Sequence, residues 1–151
     1  IVLAVDPPTA VGRGGDLWPP CYARVAQARG DLGARMGAIV DAAPPGPVVF
    51  IGADAPGLRR HHLRDAFRAL RGADAVFGPA DDGGYWLLGL ARRRAAPRLF
   101  EGVRWSSAHA LADTRASLPA SFRIASIAPL TDIDEERDLV HFGLMSTEQT
   151  P

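Results

Sequence analysis

VVFIGADAPG, from Val48 to Gly57, and VFGPADDGGYWLLGL, from Val76 to Leu90, are the two stretches whose reading decides the fold. Each contains a short apolar run that ends in carboxylate: Asp54 in the first, Asp81 and Asp82 in the second. A continuous apolar run bounded by Gly and Pro reads as a buried strand, and open α/β sheets bind ligands beyond the carboxyl ends of such strands. If the strands at Val48 and Ala75 are parallel neighbours, Asp54 and the Asp81, Asp82 pair emerge along one rim of the sheet.

Working outward, Ile1 to Val5 is strand-like and is stopped by Asp6, Pro7 and Pro8. The Gly- and Pro-rich stretch from Pro8 to Pro20 reads as a loop. Its Arg13, Gly14 and Gly15 lack the spacing of a phosphate loop. Asp31 is placed to cap a helix whose apolar positions are Leu32, Met36, Ile39, Val40 and Ala43, and Pro44 and Pro45 close it. After the strand Val48 to Ile51, Leu63, Ala66, Phe67 and Leu70 mark the apolar stripe of a second helix. Strands follow at Ala75 to Gly78 and Tyr85 to Leu90, joined by Asp-Asp-Gly-Gly, which is turn chemistry. Ser106 or Ser107 caps a helix to about Leu118, and Phe122 to Ile127 is a last strand. Asp134 caps a final helix with Glu135 and Glu136 in its first turn, as the helix dipole favours. Strands alternating with helices predict one domain over residues 1–151, an α/β protein of the three-layer α/β/α sandwich type with a mostly parallel sheet.

Composition narrows the function. The chain has 151 residues, 47% of them hydrophobic, enough for a real core. Seventeen basic residues balance seventeen acidic ones, so no overall field attracts nucleic acid or an acidic membrane surface. Every basic residue of that set is Arg, which excludes a Lys nucleophile and a Walker-type phosphate lysine. Cys21 is the single cysteine, so neither an internal disulfide nor a cysteine metal cluster forms, and a reducing, cytoplasmic setting fits. No stretch reaches the roughly twenty apolar residues of a membrane helix.

Carboxylates supply the candidate chemistry. Asp132 and Asp134 follow the last strand and can join Asp54, Asp81 and Asp82 on the rim. Converging carboxylates repel one another unless a cation neutralises them, and Mg²⁺ or Mn²⁺ suits hard oxygen ligands and phosphates. Local turn or capping chemistry accounts equally for each acid alone: Asp54 before Ala-Pro-Gly, Asp81 and Asp82 in a hairpin, Asp134 at a helix start. Trp105 with Ser106 and Ser107 reads as a buried ring and a cap, His61 and His62 as a solvated helix face, and Arg92, Arg93 and Arg94 as a solvated turn. No Gly-x-Ser-x-Gly elbow is present, so nucleophilic hydrolysis is not indicated.

The strings IGADAP (Ile51 to Pro56), GPADDGGYWLLGL (Gly78 to Leu90), LFEGVRWSS (Leu99 to Ser107) and LTDIDEERDL (Leu130 to Leu139), with GDLGARM (Gly30 to Met36), resemble an uncharacterised bacterial family within the GT-A glycosyltransferase superfamily. The resemblance runs from about Ile1 to Leu139. It implies a nucleotide-diphospho-sugar transferase fold and a divalent cation, Mg²⁺ or Mn²⁺, bridging a nucleotide's phosphates. On that basis Asp54 stands where the metal-binding acid follows the central strand, with Asp134 or Asp132 as the second ligand. Gly83, Gly84 and Tyr85 would line the sugar or acceptor side, Gln27, Asp31 and Arg35 would contact nucleotide or phosphate, and Asp82 is the candidate base. The expected activity is glycosyl transfer from a nucleotide sugar to a small acceptor. Nucleotidyl transfer from an NTP to a phosphorylated small molecule is the second enzymatic reading, and a non-catalytic domain the third. The resemblance also implies a strand and a Gly, Lys, Arg loop ahead of the segment that starts at Ile1. The chain is thus expected to be N-terminally incomplete relative to the family, either a fragment or a domain with a rebuilt sheet, and weak nucleotide affinity is expected if the whole polypeptide starts at Ile1.

Overall fold

A computed structural model of the chain describes residues 1–12, 23–52, 55 and 57–130. The chain divides into two compact units, Ile1–Ala42 and Ala43–Pro151.

The smaller unit holds two parallel strands, β1 (Val2–Val5) and β2 (Ala23–Ala26), and the helix α1 (Leu32–Ala42). Val2 pairs with Ala23 and Val5 with Ala26. Sequence reading missed β2 because Ala-Arg-Val-Ala is short and largely exposed, without the apolar alternation that marks a half-buried strand. A single turn of 3-10 helix, Pro8–Ala10, follows β1. Asp31 caps α1 as expected: its Oδ1 accepts the Ala34 amide at 2.8 Å, satisfying one of the amides a helix start leaves unpaired. Gly33 and Met36 are the residues that α1 buries.

The larger unit is built on a four-stranded sheet of order β3-β5-β4-β6, with β3 at Val48–Ile51, β4 at Ala75–Pro79, β5 at Tyr85–Leu90 and β6 at Ile124–Ser126. The expected side-by-side pairing of the strands at Val48 and Ala75 is corrected here. β5 lies between them, antiparallel to both, while β4 and β6 are parallel. The tight Asp-Asp-Gly-Gly turn is the physical reason, since a chain that reverses in so few residues can only return antiparallel beside the strand it left. β3, β4 and β6 nevertheless all run in one direction, so the sheet is mixed and its three outgoing strands share a rim.

Helices cover both faces of this sheet. Val76 joins Ala66 and Leu70 of the α2 region in a buried apolar cluster, α2 itself spanning Arg60–Ala69. Its neighbour Phe77 points the other way, as strand alternation requires. There it meets Tyr85 edge-on at 5.5 Å and lies under the guanidinium of Arg115, a residue of α3 (Ala110–Ser117). Val76, Phe77, Leu87 and Leu88 are at most 1% exposed, which places the core on the two central strands. Phe67, read from the sequence as part of the buried stripe of α2, is 46% exposed. Ala66 and Leu70 suffice to seat the helix, and Phe67 falls one residue off their line. Among the described residues, no helix is long and apolar enough to cross a membrane.

Candidate active-site rim

The outgoing ends of β3, β4 and β6 meet at the incoming end of β5. Ile51 pairs with Leu87, and the next residue, Gly52, donates its amide to the Trp86 carbonyl at 2.9 Å. Pro79 pairs with Tyr85 across a register shift. Beyond β6 the chain keeps alongside β4: Ile127 donates to the Phe77 carbonyl at 2.9 Å, Leu130 to the Pro79 carbonyl at 3.2 Å, and Leu130 forms an isolated parallel bridge with Ala80. The loop after β3 reaches the same place, for a Cβ built on Gly57 would lie 3.4 Å from the Leu130 side chain. Three described stretches therefore converge: the end of β3 with Gly57, the Asp-Asp-Gly-Gly turn, and Ile127 to Leu130.

Local contacts fix the turn. Asp82 and Asp81 are exposed, and Asp82 Oδ1 accepts the Gly84 amide at 2.7 Å, the self-bonding of an Asx turn. Gly83 adopts φ +88°, and a Cβ there would lie 2.4 Å from the Ala108 carbonyl oxygen. Only glycine fits that approach. The Gly83 carbonyl in turn accepts the Leu111 amide at 3.1 Å, so the first turn of α3 is docked onto the hairpin. Tyr85 is half-buried with its hydroxyl 3.3 Å from Thr114 Oγ1, and burial pushes its pKa up to about 12. It stays a neutral phenol at physiological pH.

Trp86 is the residue around which the rim is gathered. It is 2% exposed, and its indole lies so close over Gly78 that a Cβ at that position would sit 2.4 Å from Cε2 and 2.7 Å from Nε1. The indole N–H donates to the Ala128 carbonyl at 3.3 Å. His62 packs against the ring with centroids 5.5 Å apart. Burial, then the neighbouring His61, lower the His62 pKa. The neutral ring keeps Nδ1 as an acceptor for the Arg59 amide at 3.1 Å, at the start of α2.

In the smaller unit, the residues expected to contact nucleotide or phosphate come together at the carboxyl ends of β1 and β2. Gln27 donates its side-chain amide to the Ala4 carbonyl at 3.0 Å and accepts from Arg35 at 3.1 Å. Arg35 also donates to the Gly30 carbonyl at 3.0 Å and lies 3.8 Å from Asp6. Asp31 is one helical turn away as the α1 cap. A guanidinium held on a glutamine and a backbone carbonyl, at the end of a parallel strand pair, is chemically suited to an anion.

Asp54, Asp132 and Asp134 lie outside the described residues. Among the described residues no three His, Cys, Asp or Glu side chains form a metal-binding group, so Asp81 and Asp82 by themselves do not make a metal centre. Sequence reasoning missed Trp86. A signal was present in the glycine inside the strand Ala75–Pro79, because glycine within a strand marks the close approach of another group.

The opposite rim of the sheet is closed by its own charges. Arg94 grips Asp74 through two nitrogens, the second at 2.5 Å, and the Arg123 amide donates to the same carboxylate at 2.9 Å. The Arg94 hydrogen bond is the main cause, and the Arg123 amide the next, of an Asp74 pKa held below the usual carboxylate range. Arg93 donates to the Leu70 and Ala73 carbonyls at the end of α2, and Arg92 to those of Ala43, Pro44 and Gly46. The arginine run expected to be a solvated turn is instead a clasp that ties three segments together. Near the start of α3, Arg104 is paired with Asp113 through two nitrogens at 2.8 and 2.9 Å, which pulls the Asp113 pKa down to about 2.

Residues 1–107 match the model of a family described as uncharacterized protein conserved in bacteria (DUF2064). The chain belongs to that family. Among solved structures, this DUF2064 chain is similar to a crystal structure of a candidate nucleotide-diphospho-sugar transferase from Desulfovibrio desulfuricans G20, with a TM-score of 0.65 and 26% identity over 85% of the chain. The chain spans 58% of the length of that protein. No protein with a curated description matches it. The DUF2064 chain thus has an α/β fold of the nucleotide-diphospho-sugar transferase kind, with a parallel two-stranded sheet and a mixed four-stranded one.

Proposed function

We propose that the rim at the outgoing ends of β3, β4 and β6 is the site of a glycosyl transfer from a nucleotide-diphospho-sugar to a small acceptor. The observation that carries this reading is the convergence on one rim of the end of β3, the Asp-Asp-Gly-Gly turn and the stretch ending at Leu130, which in sequence adjoin or contain Asp54, Asp82 and Asp132, on a fold shared with a candidate nucleotide-diphospho-sugar transferase. Mg²⁺ or Mn²⁺, held by Asp54 with Asp134 or Asp132, would neutralise the departing diphosphate; these acids offer the hard oxygen ligands that such ions prefer.

The chain's own residues have distinct parts in this scheme. Asp82, whose carboxylate accepts the Gly84 amide, would take the proton of an acceptor hydroxyl. Gly83 and Gly84 would line the sugar or acceptor side with backbone, and the neutral Tyr85 phenol stiffens the wall behind them through Thr114. Gln27, Asp31 and Arg35 are the candidate contacts for nucleotide or phosphate. The work of such a site is positioning and charge stabilisation rather than covalent chemistry.

A thermal-shift panel of NTPs and nucleotide sugars, with and without Mn²⁺, tests the reading. Stabilisation by a nucleotide sugar that requires Mn²⁺, followed by release of nucleoside diphosphate when an acceptor is added, is the expected result. Pyrophosphate release from an NTP would replace it with nucleotidyl transfer. No response to any nucleotide would leave the fold without the activity.

A further inference from the structure

We infer that Trp86 is a positioning residue of this rim, a step that rests on the proposed site and extends it to a residue that touches no substrate. Strand pairing alone brings β4 and β5 together, but β6 ends at Ser126, and from Ile127 to Leu130 two amide donations and one isolated bridge hold the backbone against β4 among the described residues, while Ile127 and Leu130 pack on the apolar cluster that includes Trp86. The Trp86 indole adds a side-chain hydrogen bond to this stretch. Its N–H reaches the Ala128 carbonyl at 3.3 Å, between the two backbone contacts. The ring can do so because it lies over a strand position that has no side chain, Gly78. His62 at the head of α2 backs it at 5.5 Å, and the Trp86 carbonyl takes the Gly52 amide as β3 ends. One residue thus fixes the geometry between the loop after β3, the hairpin and the segment leading to Asp132. A dihedral error at Ala128 would be carried directly into the placement of Leu130 at the rim. Tolerances in a site that works by positioning are of the order of 1 Å.

Two substitutions displace the ring from opposite directions. Trp86→Phe removes the N–H and part of the ring that covers Gly78, and Gly78→Ala places a methyl where the indole lies. Both are expected to raise hydrogen exchange at the Ile127 and Leu130 amides at least tenfold, with the amides of the β4–β5 pairing little changed. The double variant is expected to recover thermal stability relative to Gly78→Ala, because the smaller ring clears the methyl, yet to keep the fast exchange because the N–H is still gone. That split is not expected of a merely space-filling tryptophan. In the binding arm, Mn²⁺ with UDP-glucose or GDP-mannose is the probe, and Trp86→Phe should weaken the affinity of whichever binds the wild type at least tenfold. Unchanged exchange at Leu130 in Trp86→Phe overturns the positioning role, and unchanged affinity overturns its link to the site. A wild type that binds neither sugar nucleotide nor NTP overturns the proposed function and the ligand arm with it, while the exchange data still decide what Trp86 holds.

Discussion

The two ends of the four-stranded sheet use the same residue types for different purposes. At one end Asp74 is buried, gripped by Arg94 and by the Arg123 amide, and Arg92 and Arg93 spend their donors on backbone carbonyls. At the other, Asp81 and Asp82 stand exposed on a glycine turn, and Asp82 is steadied by the Gly84 amide. A carboxylate matched to a guanidinium within the fold has its charge satisfied there and serves stability. An exposed carboxylate oriented by an amide, as Asp82 is, can meet something that arrives. The contrast separates the end that holds the protein together from the end proposed to act.

Substitutions at the closed end should have the largest effect on stability. Asp74→Ala removes the acceptor of two Arg94 nitrogens and of the Arg123 amide, and is expected to give the greatest fall in melting temperature of the variants named here. The pH dependence follows the same contacts. Asp74 and Asp113 both have pKa values depressed on folding, Asp113 to about 2. Each contributes stability that is present above the ordinary carboxylate pKa, near 4, and is lost as pH falls through the folded value. Melting temperature should therefore drop steeply from about pH 4 toward pH 2, and Asp74→Asn and Asp113→Asn should each flatten that decline. A slope unaltered in both variants would mean that these pairs do not set acid stability.

Gly83→Ala comes next. It combines a left-handed backbone angle with a clash against the Ala108 carbonyl, and should cost about 1–3 kcal/mol in a denaturant titration. Asp82→Asn retains an Oδ1 acceptor for the Gly84 amide, so its melting temperature should match the wild type while any transfer activity falls. If Asp82→Asn destabilises as Asp74→Asn does, the distinction between the two ends fails. Trp86 and Trp105 give the smallest contrast. The Trp105 indole N–H is buried with no partner among the described residues, unlike that of Trp86, so Trp105→Phe exchanges lost packing for relief of an unsatisfied donor. Its stability should stay within about 1 kcal/mol of the wild type by the same titration.

How much of this was legible from the sequence varies with the range of the interactions concerned. Val48–Ile51 and Tyr85–Leu90 stand where the apolar runs placed them, and Asp31 caps α1, because these features are local. The order of the strands was not legible, since apolar runs do not say which neighbour a strand takes. The turn between Pro79 and Tyr85 carried that information in its brevity. The Arg92–Arg94 clasp was also hidden: its partners lie at Ala43, Leu70, Asp74 and Ser121, far away in sequence, and a charge run looks the same whether solvated or engaged. Of the candidate site, Asp82, Gly83, Gly84 and Tyr85 are placed together on the rim, and Gln27, Asp31 and Arg35 together in the smaller unit. Trp86 was overlooked because a tryptophan in an apolar strand looks like core, and its part depends on Gly78 and Ala128 across the sheet.

The central claim, that the rim where β3, β4 and β6 end receives a metal-held nucleotide, is tested most directly by comparing the wild type and Asp54→Asn for Mn²⁺-dependent stabilisation by nucleotide sugars. Near 100 times its Kd, a bound nucleotide sugar stabilises by about 2.7 kcal/mol. The account predicts that this stabilisation appears in the wild type with Mn²⁺ present, and that Asp54→Asn abolishes it without lowering the melting temperature of the unliganded protein. Equal Mn²⁺-dependent shifts in both proteins would contradict it.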